Sequence, residues 1–141
     1  AADTGINSHM HKHFARLLAD AGAFDANTEF VGFWQDGKPF DHSAPGVLVS
    51  GYVNRPGGRA LLVLANVTAQ RLGKRGDLRV DHEKLLGRRF RRRSDRAVNP
   101  ETGAAAGLDW NRKGGGYLTD TWADVAVPPG DVRLMLLELA R

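Results

Sequence analysis

The sequence predicts a mainly β protein, an antiparallel β-sandwich of about seven or eight strands with one short N-terminal helix. Three observations carry this. Short β-rich runs recur, with turn signals between them, along most of the 141 residues. Two runs, Ala60–Ala65 and Val132–Leu139, are apolar on both faces, as strands covered on both sides must be. No helical periodicity separates one strand from the next, which argues against a parallel α/β sheet.

The length fits one domain that can bury a real core without staples. Residues 13–141 read as that single domain. Residues 1–12 read as a tag or disordered tail, and Ser8-His9-Met10 resembles a cloning scar ahead of a start methionine. The helix spans His13 to Ala23: Phe14, Leu17, Leu18 and Ala21 fall on one stripe, and Gly22 stands where a left-handed cap would sit. Such a short helix must dock on something, either this domain or a neighbour. Glu29 to Gln35 reads as an aromatic-rich strand ending at Asp36-Gly37, with Trp34 expected to be buried. Lys38 to Gly46, with two prolines, reads as a loop.

The clearest signal follows. Val47–Asn54, the turn Arg55-Pro56-Gly57-Gly58 and Arg59–Thr68 form a hairpin pattern. In the first strand Val47, Val49, Gly51 and Val53 share one face, and Leu48, Ser50, Tyr52 and Asn54 the other. Asp77–Asp81 alternates as a half-buried strand, and His82–Leu86 reads as a helical turn. Arg89–Val98 is ambiguous. Asn99–Gly103 is a strong turn, and Ala104–Gly116 reads as a loop. Thr121–Val127, Pro128-Pro129-Gly130-Asp131 and Val132–Leu139 read as a second hairpin.

Composition excludes several kinds of chemistry. The chain has no cysteine, which removes disulfides, thiolate zinc sites and a cysteine nucleophile. No apolar run approaches the ~20 residues of a membrane-spanning helix, so no membrane partner is expected. There is no Gly-x-Ser-x-Gly elbow, and Gly114-Gly115-Gly116 lacks the Lys-Ser/Thr of a phosphate loop. His9, His11 and His13 could share a metal on a strand, but without a carboxylate partner in a terminal segment they do not make a site. Glu101, Asp109, Asp120 and Asp124 read as turn and rim residues rather than a facing catalytic pair. Asn66-Val67-Thr68 matches a glycosylation acceptor by chance, inside a strand that reads as central. No catalytic residue, metal site or cofactor is expected.

Charge is uneven. Residues 55–96 hold 13 of the 20 Lys+Arg against four acids, in a chain of net charge +4. Within this stretch Arg88, Arg89, Arg91, Arg92 and Arg93 admit three readings. They could contact phosphates, with Phe90 stacking a base. They could be the charged guard of an exposed edge strand. They could face an acidic neighbouring domain. Nucleic acid is the least favoured partner. Trp110, Tyr117 and Trp122 are candidates for stacking on carbohydrate, with Trp110 expected to be the most exposed tryptophan; large aromatics in a small β domain are more often core.

The order of features resembles the C-terminal region of bacterial glycoside hydrolases built as a TIM barrel followed by a β-sandwich. Phe30-Val31-Gly32-Phe33-Trp34 is similar to the segment where such chains leave the barrel. Val47–Tyr52 with Arg59–Thr68 resembles their strand pair ending on Ala-Asn-x-Thr/Ser. Arg96–Gly103 is similar to their Ala-x-Asp-x-x-Thr-Gly turn, with Asn99 where Asp is usual, and Val125–Leu137 to their closing hairpin. The resemblance implies an accessory domain that supports a catalytic barrel, while the parent's carboxylates lie in the barrel. The parent would be a secreted or periplasmic glycosidase. Residues 13–37 would then pack on that barrel, and without it an apolar face would be exposed and favour self-association. The arginine run is foreign to the pattern. Two other functions remain open: a stand-alone carbohydrate-binding module, and a polyanion or nucleic-acid binder working through the arginines.

Overall fold

A computed structural model describes residues 15–67, 78–91, 93–103, 105, 119–122, 127 and 130–140. Residues 15–20 form helix α1. Eight strands follow among the described residues: β1 (Glu29–Val31), β2 (Phe40–His42), β3 (Val47–Asn54), β4 (Arg59–Asn66), β5 (Leu78–Asp81), β6 (Arg96–Val98), β7 (Thr119–Trp122) and β8 (Val132–Glu138), with helix α2 (His82–Leu86) between β5 and β6. They make a five-stranded sheet in the order β1-β3-β4-β8-β6 and a three-stranded sheet in the order β2-β5-β7. Every pairing is antiparallel. The fold is the mainly β sandwich with a short N-terminal helix that the sequence predicts.

Strand alternation sorts the core into two layers. From the large sheet Val47, Val49, Val53, Ala60, Leu62, Leu64, Met135, Leu137 and Ala97 face the small sheet's Phe40, Leu78 and Val80, joined by Leu85 and Leu86 of α2. On the opposite face Leu61, Leu134, Leu136 and Val98 meet Leu18, Ala21 and Ala23 at the α1 end. The strands that read as apolar on both faces, β4 and β8, are the two central strands of the large sheet and place buried residues in both layers. Their burial on both sides is what an all-apolar strand requires.

Helix α1 ends as the sequence predicts. Gly22 takes φ 80°, and Ala23 N–H to Leu18 O (2.9 Å) with Gly22 N–H to Ala19 O (3.0 Å) close a Schellman turn. The apolar face of α1 is spent on this domain. Helix α2 is capped by Asp81, whose side chain accepts from Lys84 N–H, and by Gly87 at φ 92°.

Four expectations are corrected. The stretch 38–46 contains a strand: β2 pairs with β5, and the Phe40 ring covers Gly51, where a Cβ would stand 2.9 Å from Phe40 Cε2. A three-residue strand with one large apolar side chain leaves no periodicity to detect. The aromatic strand stops at Val31, because Gln35 N–H bonds to Gly32 O (3.0 Å) and turns the chain. Trp34 is 65% exposed, not buried. The closing segments do not form a hairpin: β7 pairs with β5 in the small sheet, whereas β8 lies between β4 and β6. β7 and β8 therefore belong to different sheets, and β8 has buried residues on both its faces.

Candidate functional site

Cross-strand register places Phe30, Tyr52, Leu61, Leu136 and Val98 side by side across β1, β3, β4, β8 and β6. Leu61, Leu136 and Val98 are buried under the α1 end. At the β1 end this row runs out from under the helix, and Phe30 is exposed. Its ring tilts against Tyr52 at 5.0 Å and against Trp34 at 5.9 Å. Phe33 meets Trp34 edge-on at 5.1 Å and 86°. With Phe24, also exposed, these are four of the five large hydrophobic residues exposed among the described residues, and they fall within eleven positions of the chain.

The turn that carries these rings is tightly built. Gly32 N–H donates to Gln35 Oε1 (2.7 Å), and Phe33 N–H donates to Ser50 Oγ (3.1 Å) on β3. The Trp34 indole lies on Gly32, where a Cβ would fall 2.5 Å from Trp34 Cη2 and Cζ2. Gly32→Ala should therefore swing the indole off its seat. The stability loss is small, about 1 kcal/mol or less, because the ring is exposed. The check is Trp34 emission and acrylamide quenching in a W110F/W122F background; an unchanged spectrum would contradict the packing.

The second feature is the arginine run, and here the edge-strand reading is corrected: residues 88–91 and 93–95 lie in no strand and connect α2 with β6. The loop folds around one buried acid. The Asp95 side chain is fully buried, and its carboxylate accepts two bonds from the Arg88 guanidinium (both 2.7 Å), one from Ala140 N–H (2.7 Å) and one from Arg91 N–H. Arg88 also donates to the carbonyls of Arg89 and Ala140. Arg91 O accepts from both Ser94 and Asp95 N–H, which closes the turn. Burial opposes ionisation of Asp95, but the bonds from Arg88, Ala140 and Arg91 and the Arg88 charge outweigh it and hold the carboxyl below its ordinary range. The same hydrogen bond holds the Arg88 guanidinium above its ordinary value, against the smaller cost of burial.

Of the candidates for anion contact, Arg88 is thus turned inward, while Arg89, Arg91 and Arg93 are exposed; Arg92 lies outside the described residues. Phe90 is buried in the core with its ring 4.9 Å from His82, so it cannot stack a base. Of the carbohydrate candidates, Trp110 and Tyr117 lie outside the described residues, and only the backbone of Trp122 is described, in β7. His9, His11, His13, Asp109 and Asp124 also lie outside them, as does Thr68 of the glycosylation match. Asn66 is buried, and its side-chain amide donates to Val127 O (2.7 Å). That is a structural role, and it hides the side chain from modification. Among the described residues, no three His, Asp or Glu side chains gather as a metal site, and no helix is long and apolar enough to cross a membrane.

Sequence reasoning missed Asp95. The available signal was its isolation as the one acid within a run of arginines. Compared with family models, curated proteins and solved structures, the chain matches none.

Proposed function

We propose that this chain is a non-catalytic accessory β-sandwich domain of a glycoside hydrolase-like protein, docked on the catalytic barrel through its aromatic edge. The observation that supports this reading is the cluster of Phe30, Phe33 and Trp34, apolar surface left uncovered at the end of an otherwise covered row. It coincides with the segment whose sequence resembles the exit from a barrel. The helix has its own place in this domain, so the contact with the barrel falls to Phe24 and to residues 30–34.

Ring geometry favours a protein partner over sugar at this edge. Phe33 and Trp34 stand perpendicular, at 86°, and present two knobs rather than one flat platform. Knobs of this kind fill pockets at the centre of an interface. Carbohydrate binding would rest instead on Trp110, Tyr117 and Trp122.

Amide hydrogen exchange of residues 29–35, in this chain alone and in its parent protein, tests the reading. At least tenfold slower exchange in the parent is expected. Equal exchange in the two, or a gene that encodes no barrel ahead of this domain, overturns it. In the isolated chain the same edge should drive weak self-association by sedimentation, abolished in a F30S/F33S/W34S variant.

A further inference from the structure

We propose that the chain forms a two-fold dimer in which β1 pairs antiparallel with β1 of a second copy, centred on Phe30, and so joins two five-stranded sheets into one. The hydrogen bonds of the large sheet show which groups of β1 are open. In an antiparallel sheet successive residues of a strand turn their N–H and C=O alternately to one neighbour and to the other. Asn66 N–H bonds to Asp131 O (3.0 Å) and Leu139 N–H to Gly58 O (2.8 Å), so the even-numbered residues of β4 point to β8. Val67 N–H bonds to Gly46 O (2.9 Å), so the even-numbered residues of β3 point to β4. Gly51 and Val53 are left to bond β1, where they stand opposite Val31 and Glu29. The N–H and C=O of Phe30 therefore point away from β3, to the outer edge of the sheet, where no further described strand pairs.

The outward groups on either side of Phe30 are already used. Thr28 N–H bonds to Asp25 O (3.0 Å), and Gly32 O accepts from Gln35 N–H (3.0 Å). Gly32 N–H donates to Gln35 Oε1 (2.7 Å). A long extended peptide would pair with one residue here and then meet a turn at each end. A second copy presents the same short edge, and a two-fold axis through Phe30 matches each copy's donor to the other's acceptor.

The side chains agree with this partner. β1 holds neither Lys nor Pro, two common guards of an exposed edge. Its one charge, Glu29, falls opposite Val31 of the second copy, so no like charges stand directly opposed. Phe30 is 43% exposed. The pairing sets the two Phe30 rings side by side on one face, which covers apolar surface together with the open backbone groups. The dimer uses the edge assigned to the barrel contact but does not rest on that contact. A barrel seated on residues 30–34 and a second copy would exclude each other.

The test begins with sedimentation equilibrium of the 141-residue chain. A dimer with a dissociation constant between about 10 µM and 1 mM is expected, as for a small transient interface. Phe30→Leu and Phe30→Pro both remove the ring, but only proline removes the N–H, and proline is tolerated on an edge strand. The leucine variant should dimerise at least about tenfold more tightly than the proline variant, the cost of losing backbone bonds at the two-fold, while both keep a cooperative thermal transition. Disulfide trapping reads the register. The chain has no cysteine, so Phe30→Cys supplies its one thiol. A hydrogen-bonded antiparallel pair places the two Cα atoms about 5.5 Å apart, inside the range of about 4.4–6.8 Å that a disulfide spans. Mild oxidation should link Phe30→Cys chains at least about tenfold faster than Arg55→Cys chains, whose thiol lies in the β3–β4 turn. A monomer at about 1 mM, equal dimerisation of the leucine and proline variants, or equal trapping at positions 30 and 55 overturns the proposal. The barrel contact is decided separately, by hydrogen exchange in the parent protein.

Discussion

Replacing Asp95 with Ala should lower the unfolding free energy by about 3 kcal/mol, measured by urea denaturation. The carboxylate accepts bonds from Arg88, Ala140 and Arg91, and the change leaves all three donors without it. The Arg88 side chain keeps 27% of its exposure, so water relieves part of the loss. That places the effect at the lower end of what breaking a buried pair costs. Asp95→Asn retains the shape but not the charge, and should cost less than Ala. The donors hold the folded carboxyl below its ordinary value, despite burial acting the other way. Its stabilisation is therefore full above the unfolded carboxylate's value, about 4, and is lost as pH falls through the lower folded value. The stability gap between the unaltered chain and D95N should narrow as pH is lowered from about 5 towards 2. A gap independent of pH would show that the charge of Asp95 does not hold the loop.

Phe40→Ala should cost about 3–5 kcal/mol, the range for emptying a buried aromatic site. Phe40 is almost fully buried, and its ring lies on the bare Cα of Gly51 between the two sheets. Glycine in the middle of a long strand is unfavourable in itself; here the ring is what requires it. Gly51→Ala alone should destabilise by roughly 1–3 kcal/mol, because its Cβ would press on both Phe40 and Leu62. In the F40A background that penalty should largely vanish, since the ring it presses on is gone. A double-mutant cycle by chemical denaturation reads this coupling directly. Additive effects would contradict the contact.

The reach of the sequence follows from how local each signal is. The β3–β4 hairpin was legible because alternation in Val47–Asn54 and the Arg55–Gly58 turn report on neighbours only. The fully apolar strands correctly announced two covered faces, yet nothing in Val132–Glu138 names the partners on either side. Proximity therefore suggested β7, where burial selected β4 and β6. Phe40 was invisible because its strand holds one large apolar residue beside polar ones. Trp34 was misplaced because an aromatic in a β-rich segment is ordinarily core, and its exposure depends on a turn made by Gly32, Gln35 and Ser50. The arginine run was visible as a candidate surface, but its internal brace depends on Ala140, 45 positions beyond Asp95. Such a long-range contact leaves no spacing rule to read.

The position of β8 also bears on the order in which the molecule can be made. It follows every other strand in sequence, yet it sits inside the large sheet, between β4 and β6. On the ribosome β3 and β4 can zip together early, while the far edge of β4, Ala60 to Ala65, must wait for residues 132–138 to emerge. During that wait a flat, apolar strand edge stands unpaired, the kind of surface that joins wrong chains together. The sheet closes only through pairings distant in sequence, which slows folding. Closure of the large sheet therefore waits on β8 reaching that edge.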